Sequence, residues 1–203
     1  MGEVIQNSNV EILSDSKRAF ERILHLIENS NQSIFCMIFW ADMEEFSRAL
    51  LRSAKNGVRI SLITDRRSFE SRNGSRFEES MKSLSVVPNS EVRVWDGRGL
   101  YHQKIFVIDG ETVIIPSFNL TFDDINNNRD YCLFFQDSRL AKKFEKEIEN
   151  RFRKSSNVSL SRFLSRRFRN KRRVSKTKRR RLFSVVFLLF SNIVMFLIYV
   201  GHR

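Results

Sequence analysis

The chain has 203 residues and a net charge of +13, which is unevenly distributed. Residues 151–203 contain 16 of the 36 Lys and Arg and none of the 23 Asp and Glu, so residues 1–150 carry a net charge of −3. This near-neutral globular part argues against a domain that binds nucleic acid through overall basicity. The basic tail is more typical of contact with anionic lipid or solvent, and two cysteines without a Cys/His cluster argue against a zinc site.

The first half of the chain alternates helical and strand patterns. Apolar residues at helical spacing predict a helix at 14–30. A short apolar run at 33–40 fits a buried strand, residues 42–56 return to helical spacing, and residues 58–65 alternate like a strand. Because strand, helix and strand are joined by short connections, they predict a parallel βαβ crossover.

The second half is richer in strand patterns, and Asp109-Gly110 between two apolar runs predicts a tight turn. The expected elements are a loop at 66–75, a helix near 76–84, strands at 92–96, 104–109 and 112–118, a loop at 126–130, a strand at 131–136 and a helix at 138–154. With the first half, they predict an α/β fold in which helices sandwich a mixed β-sheet over residues 1–154.

The remainder of the chain has a different character. A basic linker at 155–181 precedes residues 182–200, which carry no charged side chain over 19 residues. As a helix this run spans roughly 28 Å, close to the hydrocarbon thickness of a bilayer, and it predicts a C-terminal transmembrane tail anchor. The linker fits a basic helix on the membrane surface or a disordered segment equally well. Its charge places the preceding domain in the cytosol, with the mitochondrial outer membrane favoured over the endoplasmic reticulum.

The stretch "YHQKIFVIDG" at 101–110 carries the candidate chemistry. His102 and Lys104 are two residues apart on a predicted strand, so they share a face of the sheet. A lysine on a buried face is costly unless it meets an anion. The following turn brings Ser117 and Asn119 beside this pair. Donors that hold phosphate oxygens while an imidazole attacks phosphorus would make a phosphodiesterase site, whereas a structural polar patch would not need the lysine.

These residues match the pattern of a known family. The residues that carry the match are His102, Lys104 and Asp109 in an HxKxxxxD motif, Ser117 and Asn119 in an SxN motif, and Asp130 beyond them. The pattern resembles the phospholipase D superfamily over roughly residues 30–150. A chain with one copy of the motif is most similar to the branch that includes Nuc-type endonucleases and the mitochondrial cardiolipin hydrolase/Zucchini proteins.

The resemblance implies a role for each polar residue. His102 would be the nucleophile and would form a phosphohistidine intermediate, with no metal or cofactor. Lys104 and Asn119 would hold the non-bridging oxygens, and Ser117 would support the phosphate or the histidine.

Two carboxylates complete the implied catalytic set. Asp130 would orient the nucleophilic imidazole, and Asp109 would stabilise a loop or the lysine rather than transfer protons. The chain departs from the family at Pro116, where Gly usually precedes the SxN motif, and at Asp130, where Glu is usual. A stiffer loop and a shorter side chain both bear on the catalytic rate. The zinc-binding insert of many Zucchini proteins has no counterpart in this sequence.

The mechanism needs two imidazoles, one to attack and one to protonate the leaving oxygen. Besides His102 the chain has only His25, expected on the polar side of the first helix, and His202, beyond the predicted anchor. The second imidazole must then come from another copy, which predicts a homodimer with a composite site.

Three functions remain open on the sequence alone. The first is a membrane-anchored phosphodiesterase for an anionic phospholipid, with cardiolipin as the family-based expectation. The second is an endonuclease for single-stranded RNA or DNA, and the third is a catalytically inactive anchored scaffold. In the endonuclease, a phosphate-tracking groove would be lined by Arg66, Arg67, Arg72, Arg76 and Arg98.

Overall fold

A computed structural model describes residues 4–7, 9–69, 75–95, 97 and 99–157. Its strands form a single nine-stranded sheet in the order β1-β2-β8-β7-β6-β3-β4-β5-β9. The strands are β1 Val4–Asn7, β2 Val10–Leu13, β3 Ser33–Ile38, β4 Arg59–Asp65, β5 Ser90–Trp95, β6 Lys104–Ile108, β7 Thr112–Pro116, β8 Cys132–Gln136 and β9 Ser156–Asn157. The helices are α1 Ser16–Glu28, α2 Glu44–Lys55, α3 Arg66–Phe69, α4 Ser75–Ser85, α5 Phe122–Asn127 and α6 Ser138–Lys154.

The sheet is mixed, as the sequence predicts. β3 pairs in parallel with β4, and β4 pairs in parallel with β5, which confirms the βαβ crossover through α2. β6 runs antiparallel to β3 and continues through the turn at Asp109-Gly110 into β7. Because β6 is antiparallel to β3, its first residue lies at the same edge of the sheet as the carboxyl ends of β3 and β4.

Helices cover both faces of the sheet. Phe35 and Met37 of β3 belong to a buried cluster that also includes Ala141 and Ile148 of α6. The side chains of the intervening strand residues point to the opposite face of the sheet. On that face, Phe106 of β6 packs edge-to-face against Phe46 of α2. Both cysteines, Cys36 and Cys132, are fully buried within these layers. The mixed α/β sandwich predicted from the sequence is therefore confirmed.

Several local features differ from the sequence prediction. The segment expected as a loop at 66–75 begins with the short helix α3, and helix α5 forms just after the SxN motif. The hairpin of β1 and β2 was not predicted. Most of the predicted linker, residues 158–181, and the predicted anchor at 182–200 lie outside the described residues. Among the residues that are described, no helix has the length and apolar character needed to cross a membrane.

Candidate active site

The candidate site lies where the carboxyl ends of β3 and β4 meet the start of β6. Lys104, the first residue of β6, lies opposite Ile38 at the end of β3. Extending the β6–β7 register by two residues from Phe106 opposite Ile114 places Lys104 opposite Pro116, so the SxN motif follows at the same edge. The loop after β3 is tied to this edge, because the Leu120 N–H donates to the Trp40 carbonyl oxygen at 3.1 Å. Ligand sites in α/β proteins commonly occupy this edge of the sheet.

His102 lies just before β6, which corrects the prediction that it sits on the strand. Its backbone is anchored through Tyr101, whose buried N–H donates to the Asp65 carboxylate at 2.9 Å. The imidazole is exposed and contacts the ring of Phe39 in a tilted arrangement, with 4.6 Å between ring centroids and 58° between ring planes. The ring is therefore accessible to solvent and also in contact with an aromatic neighbour.

Lys104 is only 9% exposed, and its ammonium reaches the imidazole. Lys104 Nζ lies 3.3 Å from Nε2 and 3.4 Å from Nδ1 of His102. Burial lowers the pKa of Lys104, and the negative charges of Asp124 and Asp130 oppose that decrease. Desolvation and then the neighbouring Lys104 lower the pKa of His102, which favours its neutral form. A neutral imidazole beside an ammonium is the combination that a nucleophile and an anion-binding group require.

Ser117 and Asp130 form a second pair at this edge. Ser117 Oγ donates to Asp130 Oδ1 at 2.7 Å and accepts from the Tyr131 N–H at 3.0 Å. These contacts follow from the β7–β8 pairing, because Pro116 lies opposite Cys132 and the next residues continue alongside each other. The carboxylate expected to orient an imidazole is thus hydrogen-bonded to the serine within its own chain.

Asn119 is held by a carboxylate that the sequence analysis did not single out. Its backbone N–H and its side-chain Nδ2 both donate to Asp124 Oδ2 at 2.8 Å. Its Oδ1 is buried and has no hydrogen-bond partner in the part of the chain that the structure covers. Asp124 also donates its own N–H to Thr121 Oγ1, the N-cap of α5. The Thr-x-x-Asp spacing at 121–124 is a helix-start signal that could have revealed both α5 and this carboxylate.

Asp109 is not brought together with the other site residues, because it follows β6 at the opposite edge of the sheet. Its backbone has φ 54° and leads into the β6–β7 turn. Its carboxylate accepts three backbone N–H groups, from Asn31 at 2.9 Å, Gln32 at 2.8 Å and Ser33 at 2.9 Å. These contacts are those of a residue that stabilises the loop between α1 and β3.

Comparisons with known proteins identify the family. The family model described as "Cardiolipin synthase, PLD-like domain" matches residues 23–152. The mitochondrial cardiolipin hydrolase of Xenopus tropicalis is 29% identical over 137 residues, which represent 68% of this chain and 62% of that protein. The chain thus aligns with less than two thirds of the length of this curated relative.

Solved structures share the fold. NucT from Helicobacter pylori superposes with a TM-score of 0.65 at 18% identity and covers 78% of this chain and 100% of its own. Nuc from Salmonella typhimurium, a phospholipase D family member, superposes with a TM-score of 0.62 at 21% identity. The match covers 78% of this chain and 99% of the Nuc chain. At these identities the likeness concerns the fold alone. Because the family model matches well over half of the sequence, the chain belongs to the phospholipase D-like domain family, as its motifs predicted.

Proposed function

We propose that this protein is a phosphodiesterase that works through a phosphohistidine on His102. The observation that carries the proposal is the contact between the exposed imidazole and the nearly buried Lys104 ammonium, 3.3 Å apart, at the edge where the SxN motif follows β7. Among the described residues, the recorded hydrogen-bond contacts of this ammonium are with the imidazole and none is with a carboxylate. Burial of such a cation is costly, and a bound phosphate group would offset that cost. Asn119 adds a further donor at the same edge, whereas the Ser117 hydroxyl proton is directed to Asp130.

The reaction proceeds in two displacements. A neutral nitrogen of His102 attacks phosphorus, a P–N bond forms and the P–O bond to the leaving group breaks. The leaving oxygen takes a proton from a second imidazole. Water then attacks the phosphohistidine, gives its proton to that same second imidazole and breaks the P–N bond, which restores both histidines. Lys104 and Asn119 donate to the non-bridging oxygens and stabilise the charge that develops on them.

The second imidazole is supplied by another copy of the chain. Within the described part of the molecule the other histidine is His25, which is exposed in the last turn of α1. The first residue of α1, Ser16, contacts Asn128 near the site edge, whereas the segment after its end, Asn31–Ser33, binds Asp109 at the opposite edge. His25 is therefore at the wrong end of the domain to serve the site, and a homodimer with a composite site satisfies the chemistry.

The substrate we propose is an anionic phospholipid of the cardiolipin type. The similar protein from Xenopus tropicalis is called a mitochondrial cardiolipin hydrolase, which supports this class. Three apolar or aromatic side chains close in sequence to the site residues are more than half exposed: Leu100, Phe122 and Tyr131. Exposed apolar groups around a phosphate site suit a substrate with acyl chains. A C-terminal anchor in the mitochondrial outer membrane, with the domain on the cytosolic side, would hold the site at its substrate.

The second candidate is cleavage of single-stranded nucleic acid by the same chemistry. Arg67, just after the end of β4, favours it because its guanidinium donates to the Gly99 carbonyl oxygen at 3.1 Å, close to the segment that carries His102. The side chains of Arg72, Arg76 and Arg98, which would extend a phosphate-tracking groove, lie outside the described ones. The exposed Tyr131 and Phe122 are also residue types on which bases stack.

A two-substrate assay tests the proposal. Full-length protein and its His102→Asn variant are incubated separately with cardiolipin-containing vesicles and with labelled single-stranded RNA and DNA. We expect the wild type to release phosphatidic acid from the vesicles and the variant to release none above background. Cleavage of nucleic acid alone would favour the endonuclease. Cleavage of neither would leave the inactive scaffold, and equal activity of both proteins would exclude His102 as the nucleophile.

A further inference from the structure

Asp124 occupies a central place in the site although it belongs to neither motif. Its Oδ2 accepts both the backbone N–H and the side-chain Nδ2 of Asn119, each at 2.8 Å. Its Oδ1 accepts from Asn128 Nδ2 at 3.1 Å, on the next turn of the chain. Both carboxylate oxygens are therefore engaged, and the partly buried side chain is fixed in one orientation.

The contact with Asn119 determines what that residue offers to a phosphate. A carboxamide nitrogen has two hydrogens, and one of them points to Asp124 Oδ2. The other hydrogen is left for a phosphate oxygen. Without the carboxylate, the amide could turn over and present its oxygen, which a phosphate would repel. Asp124 thus selects the donor side of Asn119.

The same carboxylate lies at the edge of the sheet where Lys104 begins β6, because it is bonded to Asn119, three residues after the Pro116 that lies opposite Lys104. The titratable groups around Lys104 are His102 before the strand, Asp124 in α5 and Asp130 before β8. Of the two carboxylates, Asp124 contributes the larger increase to the pKa of Lys104, against the decrease caused by burial. Asp130 is also engaged by Ser117 Oγ. Of the two carboxylates, Asp124 therefore has the larger electrostatic influence on this lysine.

We propose that Asp124 is a positioning residue for the phosphodiesterase reaction, which fixes the Asn119 carboxamide and supplies negative charge at the edge where Lys104 begins β6. The inference rests on the proposed function, because it takes Lys104 and Asn119 as the donors that hold the phosphate and assigns Asp124 as the residue that supports both. It also explains how a short helix of low-propensity residues, α5, contributes to the site: the helix holds Asp124 against the loop that carries Asn119.

The kinetic test compares three variants of full-length protein on a chromogenic aryl phosphodiester. Asp124→Ala removes the acceptor and the charge, and misplacement of the phosphate-holding donors should reduce kcat/KM by about 100-fold. Asp124→Asn keeps an acceptor oxygen but removes the charge, and should also reduce kcat/KM. Asp123→Asn, which changes the exposed neighbour in the same helix, is the matched control and should keep wild-type activity. Wild-type kcat/KM in Asp124→Asn would overturn the proposal.

A second readout is independent of turnover. The pKa of Lys104 is measured by NMR on lysine labelled with carbon-13, with the signal assigned by its loss in Lys104→Met. We expect a lower Lys104 pKa in Asp124→Asn and no change in Asp123→Asn, an effect that a merely structural role would not produce. An unchanged Lys104 pKa in folded Asp124→Asn would overturn the proposal. If wild-type protein cleaves no phosphodiester, the proposed function fails, whereas the NMR result still decides the role of Asp124.

Discussion

The two ends of β6 use similar carboxylates for different purposes. At the end of the strand, the Asp109 carboxylate accepts three backbone N–H groups and ties the β6–β7 turn to the loop after α1. At the start of the strand, Asp124 accepts from the backbone N–H and the side chain of Asn119, and its charge opposes the decrease that burial causes in the pKa of Lys104. The hydrogen bonds from backbone N–H groups to Asp109 stabilise the fold, whereas the hydrogen bond from Asn119 to Asp124 holds a side chain of the SxN motif. Asp109 belongs to the HxKxxxxD motif and Asp124 does not, so membership of the motif does not indicate which carboxylate lies at the candidate site.

Of the substitutions that distinguish the two ends of β6, Lys104→Met is expected to have the largest effect. Loss of a donor to the non-bridging oxygens should reduce kcat by about 10²–10³-fold. The melting temperature should stay the same or rise, because a nearly buried charge is replaced by an apolar side chain of similar length. Steady-state kinetics and thermal unfolding of the same preparation check both parts. A large loss of stability would assign Lys104 to the fold instead of the site.

Asp109→Asn is expected to have a smaller effect, which lowers stability and leaves activity unchanged. Asparagine tolerates the positive φ of this position, so the substitution tests the charge-assisted hydrogen bonds and not the backbone. Weakening the contacts to the backbone N–H groups should lower the free energy of unfolding by about 1–3 kcal/mol. Chemical denaturation measures that change, and kcat/KM per folded molecule should match the wild type. A selective loss of activity without loss of stability would return Asp109 to the catalytic set.

Much of the fold follows from the spacing of apolar residues in the sequence. The βαβ unit and the β6–β7 hairpin are predicted because their strands are apolar runs bounded by turn residues. The hairpin of β1 and β2 escapes prediction because each strand has only four residues. Helix α5 was missed because its Asn and Asp residues have low helix propensity, although Thr121 caps its start.

The site was partly predictable for a related reason. His102, Lys104 and Asn119 belong to motifs with fixed spacing, and strand pairing brings the segments that carry them to one edge. The role of Asp124 depends on how the chain folds back after the SxN motif, and residue spacing alone does not define that fold-back. Asp109 was placed in the implied catalytic set because of its motif, with the expected role of stabilising a loop or the lysine, and its hydrogen bonds are those to the loop.

The stereochemical course at phosphorus tests the central claim most directly. Full-length protein hydrolyses a phosphorothioate diester of known configuration in isotopically labelled water, and the configuration of the product is determined by phosphorus NMR. Attack by His102 followed by attack by water inverts phosphorus twice, so the account predicts retention of configuration. Inversion would show that water attacks the phosphodiester in one step, and would contradict a phosphohistidine on His102.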